Sequence, residues 1–401
     1  MMTRLCTFVA AIALVAIANP AVAQPVEADR PDAPLRLGAL ELFPTFTVRD
    51  IGIDSNVYTS QAQREDFTYT VSPALRTVLR IGEARLTTRG VFDFRYFQTL
   101  KDQQSTSGSI NTQLEVGSGR VRPFGAAGLV RSHERGGYDL DRRAFSLASK
   151  AKVGANISLT PVTSLTAWVV HESTRFDRSE VFDGALLSDQ LDRATRGTAT
   201  GLRFDLTPFT SITSAIEVDK IRFAHAPQHD ANSFRFAPVV QFTKDAIIEG
   251  SASAGFRDFR PLDPHVAAYR GFVANVTMSF MIKSVTRVEA QATRDVQFSY
   301  HDAEPLYLGA GGQAVITQRV VGPFDAVVIA GRQRLRYQTP DALSFDGRRE
   351  RVITTGGGIG IRASEHLRLT LTVDREQRLS TNALIRDYER RRFFGSISYT
   401  P

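Results

Sequence analysis

The side chains best placed to do chemistry in this sequence are charged residues that recur at every second position. Arg85, Arg89, Asp93 and Arg95 alternate with Leu86, Gly90, Phe92 and Phe94. The same spacing carries Arg203 and Asp205, Glu217 and Asp219, Glu249 and Arg257, Arg287 and Glu289, and Arg368 and Asp374. Period two places each set on one face of an extended chain, whereas a helix would scatter it around its axis. Rings of such residues can set the local field of a pore, and the same residues paired with one another would brace a wall. Both signs are present, which argues against strong selectivity for one class of ion.

Other chemistry finds little support. The sequence has no G-x-S-x-G, no H-E-x-x-H and no phosphate-cradling loop. His171-Glu172-Ser173 has the letters of a triad, but neighbouring residues of a strand point to opposite faces. His225 and His229 fall in a polar connection, where a solvated role outweighs a weak metal site. No catalytic, cofactor or metal residue is assigned, and the chain reads as a non-enzyme.

The charged sets require long strands to position them, and alternation runs along the whole chain. Leu367, Leu369, Leu371 and Val373 face away from Arg368, Thr370, Thr372 and Asp374. Eighteen strands are predicted, at 45–58, 67–80, 84–98, 108–117, 121–133, 142–158, 164–176, 192–206, 211–223, 232–243, 246–258, 268–281, 285–300, 306–320, 324–338, 349–362, 366–378 and 388–400; sixteen is the smaller alternative. Short turns such as Gly82-Glu83, Lys244-Asp245 and Gly322-Pro323 alternate with longer polar connections such as 134–141, 177–191 and 339–347. That asymmetry, with an even strand count, predicts an all-β chain: one antiparallel up-and-down transmembrane barrel with short periplasmic turns and long extracellular loops. Hydrocarbon cannot satisfy backbone polar groups, so a sheet spans a membrane only when it closes on itself. Such a barrel is too wide for side chains alone to fill. The connection 177–191 is read either as a constriction folded into the lumen or as an exposed mobile loop.

Two local patterns refine this reading. Leu159-Thr-Pro-Val-Thr-Ser-Leu-Thr-Ala167 recurs as Leu206-Thr-Pro-Phe-Thr-Ser-Ile-Thr-Ser214, which predicts two periplasmic turns of one chemistry. Aromatic residues near strand ends (Tyr96, Phe97, Phe223, Phe298, Tyr300, Phe324, Tyr337, Phe393, Phe394 and Tyr399) are read as interfacial girdles.

Composition agrees with an exported barrel. The chain has 401 residues, 42% hydrophobic and 23% charged, with 26 Phe, 10 Tyr and a single Cys. Arg4, the apolar run from Phe8 to Ala18 and Ala21-Val22-Ala23 are read as a signal peptide over 1–23, with an N-terminal anchor helix as the alternative; cleavage would remove Cys6 and leave no disulfide. A periplasmic segment is expected over 24–40 and the barrel over 41–401, in the outer membrane. The net charge is +7, and all but six of the 49 basic residues are Arg. Arg binds phosphate and carboxylate in bidentate fashion, which suits lipopolysaccharide or an acidic polymer; a compositional bias of the organism is the alternative. No basic cluster with interleaved aromatics points to nucleic acid.

The stretch from Leu35 to Tyr58 resembles the opening of the outer-membrane β-barrel family known as beta-barrel porin 2. Arg36, Gly38, Leu42 and Pro44 fall in the register of its first strand, with Leu40 where an aromatic is usual, and Asp54-Ser55-Asn56-Val57-Tyr58 supplies its second segment. The resemblance implies a porin that passes a hydrophilic solute and is associated with exopolysaccharide production. It also implies a periplasmic polysaccharide-export protein as partner, beside the outer-membrane lipids, lipopolysaccharide and barrel-assembly machinery expected of any such barrel. Family barrels tend to end in an aromatic residue, so here Tyr399 would serve that purpose from two residues in. The opposing expectation is a structural or surface-adhesion barrel with a closed lumen.

Overall fold

A computed structural model describes residues 35–401, apart from 118, 141, 183, 243–247, 302, 339–344 and 382–386. The expected leader and most of the segment before the barrel therefore lie outside the described residues, as does the turn Lys244-Asp245. Eighteen long strands follow one another: β1 (Leu40–Asp54), β2 (Asp66–Ile81), β3 (Ala84–Phe97), β4 (Ser105–Val116), β5 (Val121–Arg135) and β6 (Arg143–Ser158). They continue as β7 (Thr163–Phe176), β8 (Arg193–Thr207), β9 (Thr210–Phe223), β10 (Ala231–Phe236, resuming as Val239–Phe242), β11 (Ile248–Pro261) and β12 (Tyr269–Ile282). The last six are β13 (Thr286–Phe298), β14 (Leu306–Val321), β15 (Phe324–Tyr337), β16 (Arg349–Arg362), β17 (Leu367–Ser380) and β18 (Tyr388–Tyr399). Each pairs antiparallel with its neighbours in sequence, and β18 pairs with β1, so the sheet has no free edge.

Strand pairing fixes the two faces. Phe256 and Phe272 sit opposite one another and are exposed, as are Leu371, Val373 and Phe393. The intervening residues face inward, where their contacts reach strands that are not neighbours in the sheet. The strands run where the alternation placed them. The main departure is β1, which starts at Leu40 rather than 45 and ends at Asp54 because the next residues turn away to lock the seam. Before it, Leu35–Leu37 folds back on Leu40–Leu42 through Gly38, whose φ is +61°.

The seam between β1 and β18 is irregular. Register shifts between Val48 and Ile51 against β18, and between Arg49 and Gly52 against β2. The extra residue of the bulge turns both Arg49 and Asp50 inward, where they meet Asp93 and Arg95 respectively. Gly52 is required here, because a Cβ at that position would lie 1.9 Å from the carbonyl oxygen of Phe393. β10 is interrupted at Ala237-Pro238, where proline cannot donate to the ladder.

The two repeated turns have the same chemistry. The Thr160 hydroxyl accepts from the backbone N–H of Thr163 at 3.0 Å, and the Thr207 hydroxyl accepts from that of Phe209 at 3.1 Å. The aromatic assignment needs correction. Phe324, Phe393 and Tyr399 are exposed on the outer wall, but Phe97, Phe223, Tyr300, Tyr337 and Phe394 are buried. Sequence position near a strand end does not say which side of the wall a ring occupies; parity does.

Candidate functional site

The barrel interior is the candidate site, and its two ends differ. All fourteen charged residues singled out by alternation carry the inward parity. Arg95 binds Glu134 at 2.5 Å, and Asp93 binds Arg49 at 3.1 Å, so β1, β3 and β5 are cross-linked inside the wall. Arg257 donates to Asp295 at 2.8 Å, across the intervening β12. Arg203 binds Asp205 at 2.7 Å and Arg287 binds Glu289 at 2.9 Å, each two residues along the same strand. Asp374 accepts from Arg392 at 2.7 Å, and Arg368 lies 3.2 Å from Asp325. Arg85 and Arg89 stand opposite Arg80 and Arg76, Glu217 and Asp219 opposite Arg235 and Ser233, and Glu249 opposite Ser279.

At the short-turn end, Arg287, Arg319, Arg362 and Arg368 line a cavity that also holds Asp325 and Thr317. Midway along the wall, the Lys152 ammonium lies 4.2 Å from the ring centre of Trp168 and 5.5 Å from that of Phe124. Gly154 makes room for this group, since a Cβ there would meet Phe124 at 2.6 Å.

The long-loop end is bridged. Helix α1 (Leu187–Leu191) buries Leu187 and Leu191 in one cluster with Leu140 and Tyr300. These residues come from the connections β7–β8, β5–β6 and β13–β14, the last of which lies across the ring from the second. The cluster therefore covers the opening, with Leu187–Leu191 of the connection folded in and residues 177–179 exposed. At its centre the Asp139 carboxylate accepts from the Tyr337 hydroxyl at 2.7 Å and from the Tyr300 backbone N–H at 3.2 Å. Arg348 lies 3.6 Å from Asp139, 2.8 Å from Glu304 and 3.1 Å from Glu350, and its guanidinium stacks 3.8 Å above the Tyr337 ring. Arg378, itself fully buried, also donates to Glu350. Burial raises the Glu304 carboxyl above the usual range, against the pull of Arg348. Burial opposes the charge of Arg348, but Tyr337 and the surrounding carboxylates hold its guanidinium above its usual value.

A second part of the cap is apolar. Val296, Leu306 and Leu308 have outward parity, yet they pack with Ile221, Phe223, Phe259, Tyr269 and Val273 from the inward rows of β9, β11 and β12. Pairing of β12 with β13 stops at Ala274 and Arg294, although both strands continue. The end of the β13–β14 hairpin thus leaves the wall and tucks inside. His229 is part of this packing, edge-on to Phe223 at 5.3 Å and only 3% exposed, which corrects its reading as a solvated loop residue. His171 is exposed on the outer wall.

The D-S-N-V-Y segment closes the seam at the same end. Asp54 accepts from Arg390 Nε at 2.8 Å. The Asn56 side-chain amide donates to the carbonyls of Ser60 and Glu389, at 2.8 and 3.0 Å. Arg390 and Arg135 both approach Glu376, at 4.0 and 3.7 Å. Alternation on β17 and β18 continues through Glu376, Arg378, Arg390 and Arg392, and was available to find them. Asp139, Glu304 and Arg348 lie in connections, where no periodicity marks them.

A closed eighteen-strand barrel, apolar outside and charged within, defines a porin-like outer-membrane barrel. Residues 33–398 match the family described as "Putative beta-barrel porin 2", and the chain belongs to it. Among solved structures, it is similar to Pseudomonas aeruginosa OccK9 (OpdG), with 10% identity, 90% of this chain and 98% of that chain covered, and a TM-score of 0.50. It also matches the outer membrane protein OpdK of the same organism, with 10% identity, the same coverage and a TM-score of 0.49. The first of these likenesses speaks to the barrel fold alone. No curated protein matches the chain. The family is described as a porin family, and the long-loop end is the extracellular one.

Proposed function

We propose that the barrel is an outer-membrane channel for a hydrophilic solute, held shut at its extracellular mouth by its own loops, and that the solute is an exopolysaccharide. The channel reading is supported by a closed barrel whose inward rows are rich in charged and polar side chains, interrupted by apolar patches such as Val315, Val327 and Ile329. The polymer reading rests on the family resemblance, and with it come a periplasmic export protein at the short-turn rim and delivery by the N-terminal leader and the barrel-assembly machinery. The fourteen inward charges, from Arg85 round to Asp374, line the path; with both signs represented they favour a weakly selective passage. No reaction is assigned to the barrel.

The bridged mouth also favours a second reading, a non-conducting structural or adhesion barrel that acts through its loops. Single-channel recording in planar bilayers separates the two. Wild-type protein is expected to show brief openings from a closed baseline, shortened when an anionic polysaccharide is added on the periplasmic side. Electrical silence at every voltage, from the wild type and from a variant with its cap removed, would support the structural barrel.

A further inference from the structure

The outer wall changes character toward its extracellular end. On β15 the outward row runs Phe324, Ala326, Val328 and Ala330, and then becomes Arg332, Arg334 and Arg336. On β17 it runs from Leu367 to Val373 and then becomes Arg375; on β18 Phe393 gives way to Arg391. Register brings six arginines into direct opposition: Arg334 faces Arg351, Arg336 faces Arg349, and Arg375 faces Arg391. All six are exposed.

Like charges directly across a strand pair repel, so three arginine rungs on adjoining strands need an anion. The chain supplies little: Arg375 and Arg391 share Glu389, and Arg349 reaches Asp346. Arg334, Arg336 and Arg351 have no acidic partner among the described residues. Inside the barrel the corresponding problem is solved internally, since Arg235 and Arg257, also opposite one another, share Asp295. The outer row also carries Arg196 and Lys220, both exposed and opposite one another, whereas Arg270 is paired with Asp258 at 3.3 Å.

We infer that this arginine surface on β15–β18 docks the phosphate groups of lipopolysaccharide in the outer leaflet. Its position fits that occupant. The rungs begin where the lipid-facing apolar row ends, the height at which the phosphorylated sugars of that leaflet stand above its acyl chains. Guanidinium forks bind phosphate in bidentate fashion, and an anion between two facing arginines converts their repulsion into attraction. The inference concerns the outer wall and is independent of whether the lumen conducts.

Native mass spectrometry of the full-length barrel, released from detergent, tests it with defined lipids. Bisphosphorylated lipid A is expected to bind at least tenfold more tightly than its dephosphorylated form. Substituting Arg334→Gln, Arg336→Gln and Arg351→Gln together is expected to erase that difference, and the corresponding lysine variant to keep part of it. Equal binding of the two lipid A forms by the wild type would overturn the inference. Phosphatidylglycerol binding as tightly as lipid A would also overturn it, by showing an unspecific anionic-lipid surface. Folding of each variant is checked by heat-modifiable migration; should the glutamine variant not fold, the wild-type comparison decides alone.

Discussion

Replacing Arg348 by alanine is expected to open the extracellular mouth. This one guanidinium contacts Asp139, Glu304 and Glu350 and covers the Tyr337 ring, so it joins three connections that meet over the lumen. Its removal takes the Arg348 charge away from Glu304, Asp139 and Glu350, and breaking a buried ion pair costs about 3–5 kcal/mol. Glu350 keeps Arg378, and Asp139 keeps its bonds from Tyr337 and Tyr300, so the cap is loosened while the wall stays intact. At about 1.4 kcal/mol per factor of ten, the ratio of open to closed mouths should rise more than a hundredfold. Bilayer recordings of Arg348→Ala should show long openings where the wild type shows brief ones, with Arg348→Lys intermediate because lysine keeps the charge but loses the fork and the stacking. Records indistinguishable from wild type would mean that the loops do not gate the path.

The second large effect is expected at the seam. Asp54 and Arg390 are nearly fully buried, and they join the first strand of the barrel to the last. Asp54→Asn removes the carboxylate and leaves Arg390 facing Arg135, with Glu376 as their remaining shared anion. A loss of about 3–5 kcal/mol is expected, measured as a lower urea midpoint for the heat-modifiable barrel. The double variant Asp54→Asn with Arg390→Gln should recover part of that loss, because it leaves no uncompensated charge. If the single variant were as stable as the wild type, closure would rest on backbone pairing alone.

Much of this structure could be read from the sequence because the barrel obeys one local rule. Leu367–Asp374 alternates without exception, and β17 forms around it. The inward charges followed from the same rule, since the parity that exposes Phe92 and Phe94 turns Asp93 and Arg95 inward. The rule stops where strands end. Asp139, Glu304 and Arg348 meet only because loops from distant parts of the ring fold over one opening, and no spacing in the chain records that. The bulge at Asp50 breaks parity in β1, so Arg49 and Asp50 both turn inward where alternation would have split them. The aromatic residues failed for a related reason. Phe223 and Tyr337 lie near strand ends, as girdle residues do, but they have inward parity and pack into the cap, Phe223 in its apolar part and Tyr337 beside Asp139 and Arg348. The family motif at Asp54-Ser55-Asn56 proved to be a clasp for the seam, a role that appears only once β18 lies beside β1.

The wall is apolar toward lipid and polar toward the lumen, and spin labelling in lipid vesicles tests that inversion. Cys6 lies in the expected leader, so a single cysteine can be introduced into the remainder of the chain at Val373 or, in a separate protein, at Thr372. These neighbours on β17 face outward and inward respectively. The label at 373 should be reached by oxygen dissolved in the bilayer and shielded from a water-soluble nickel complex, and the label at 372 should show the reverse. Equal access of the nickel complex to both positions, with no response to the bilayer, would contradict the account.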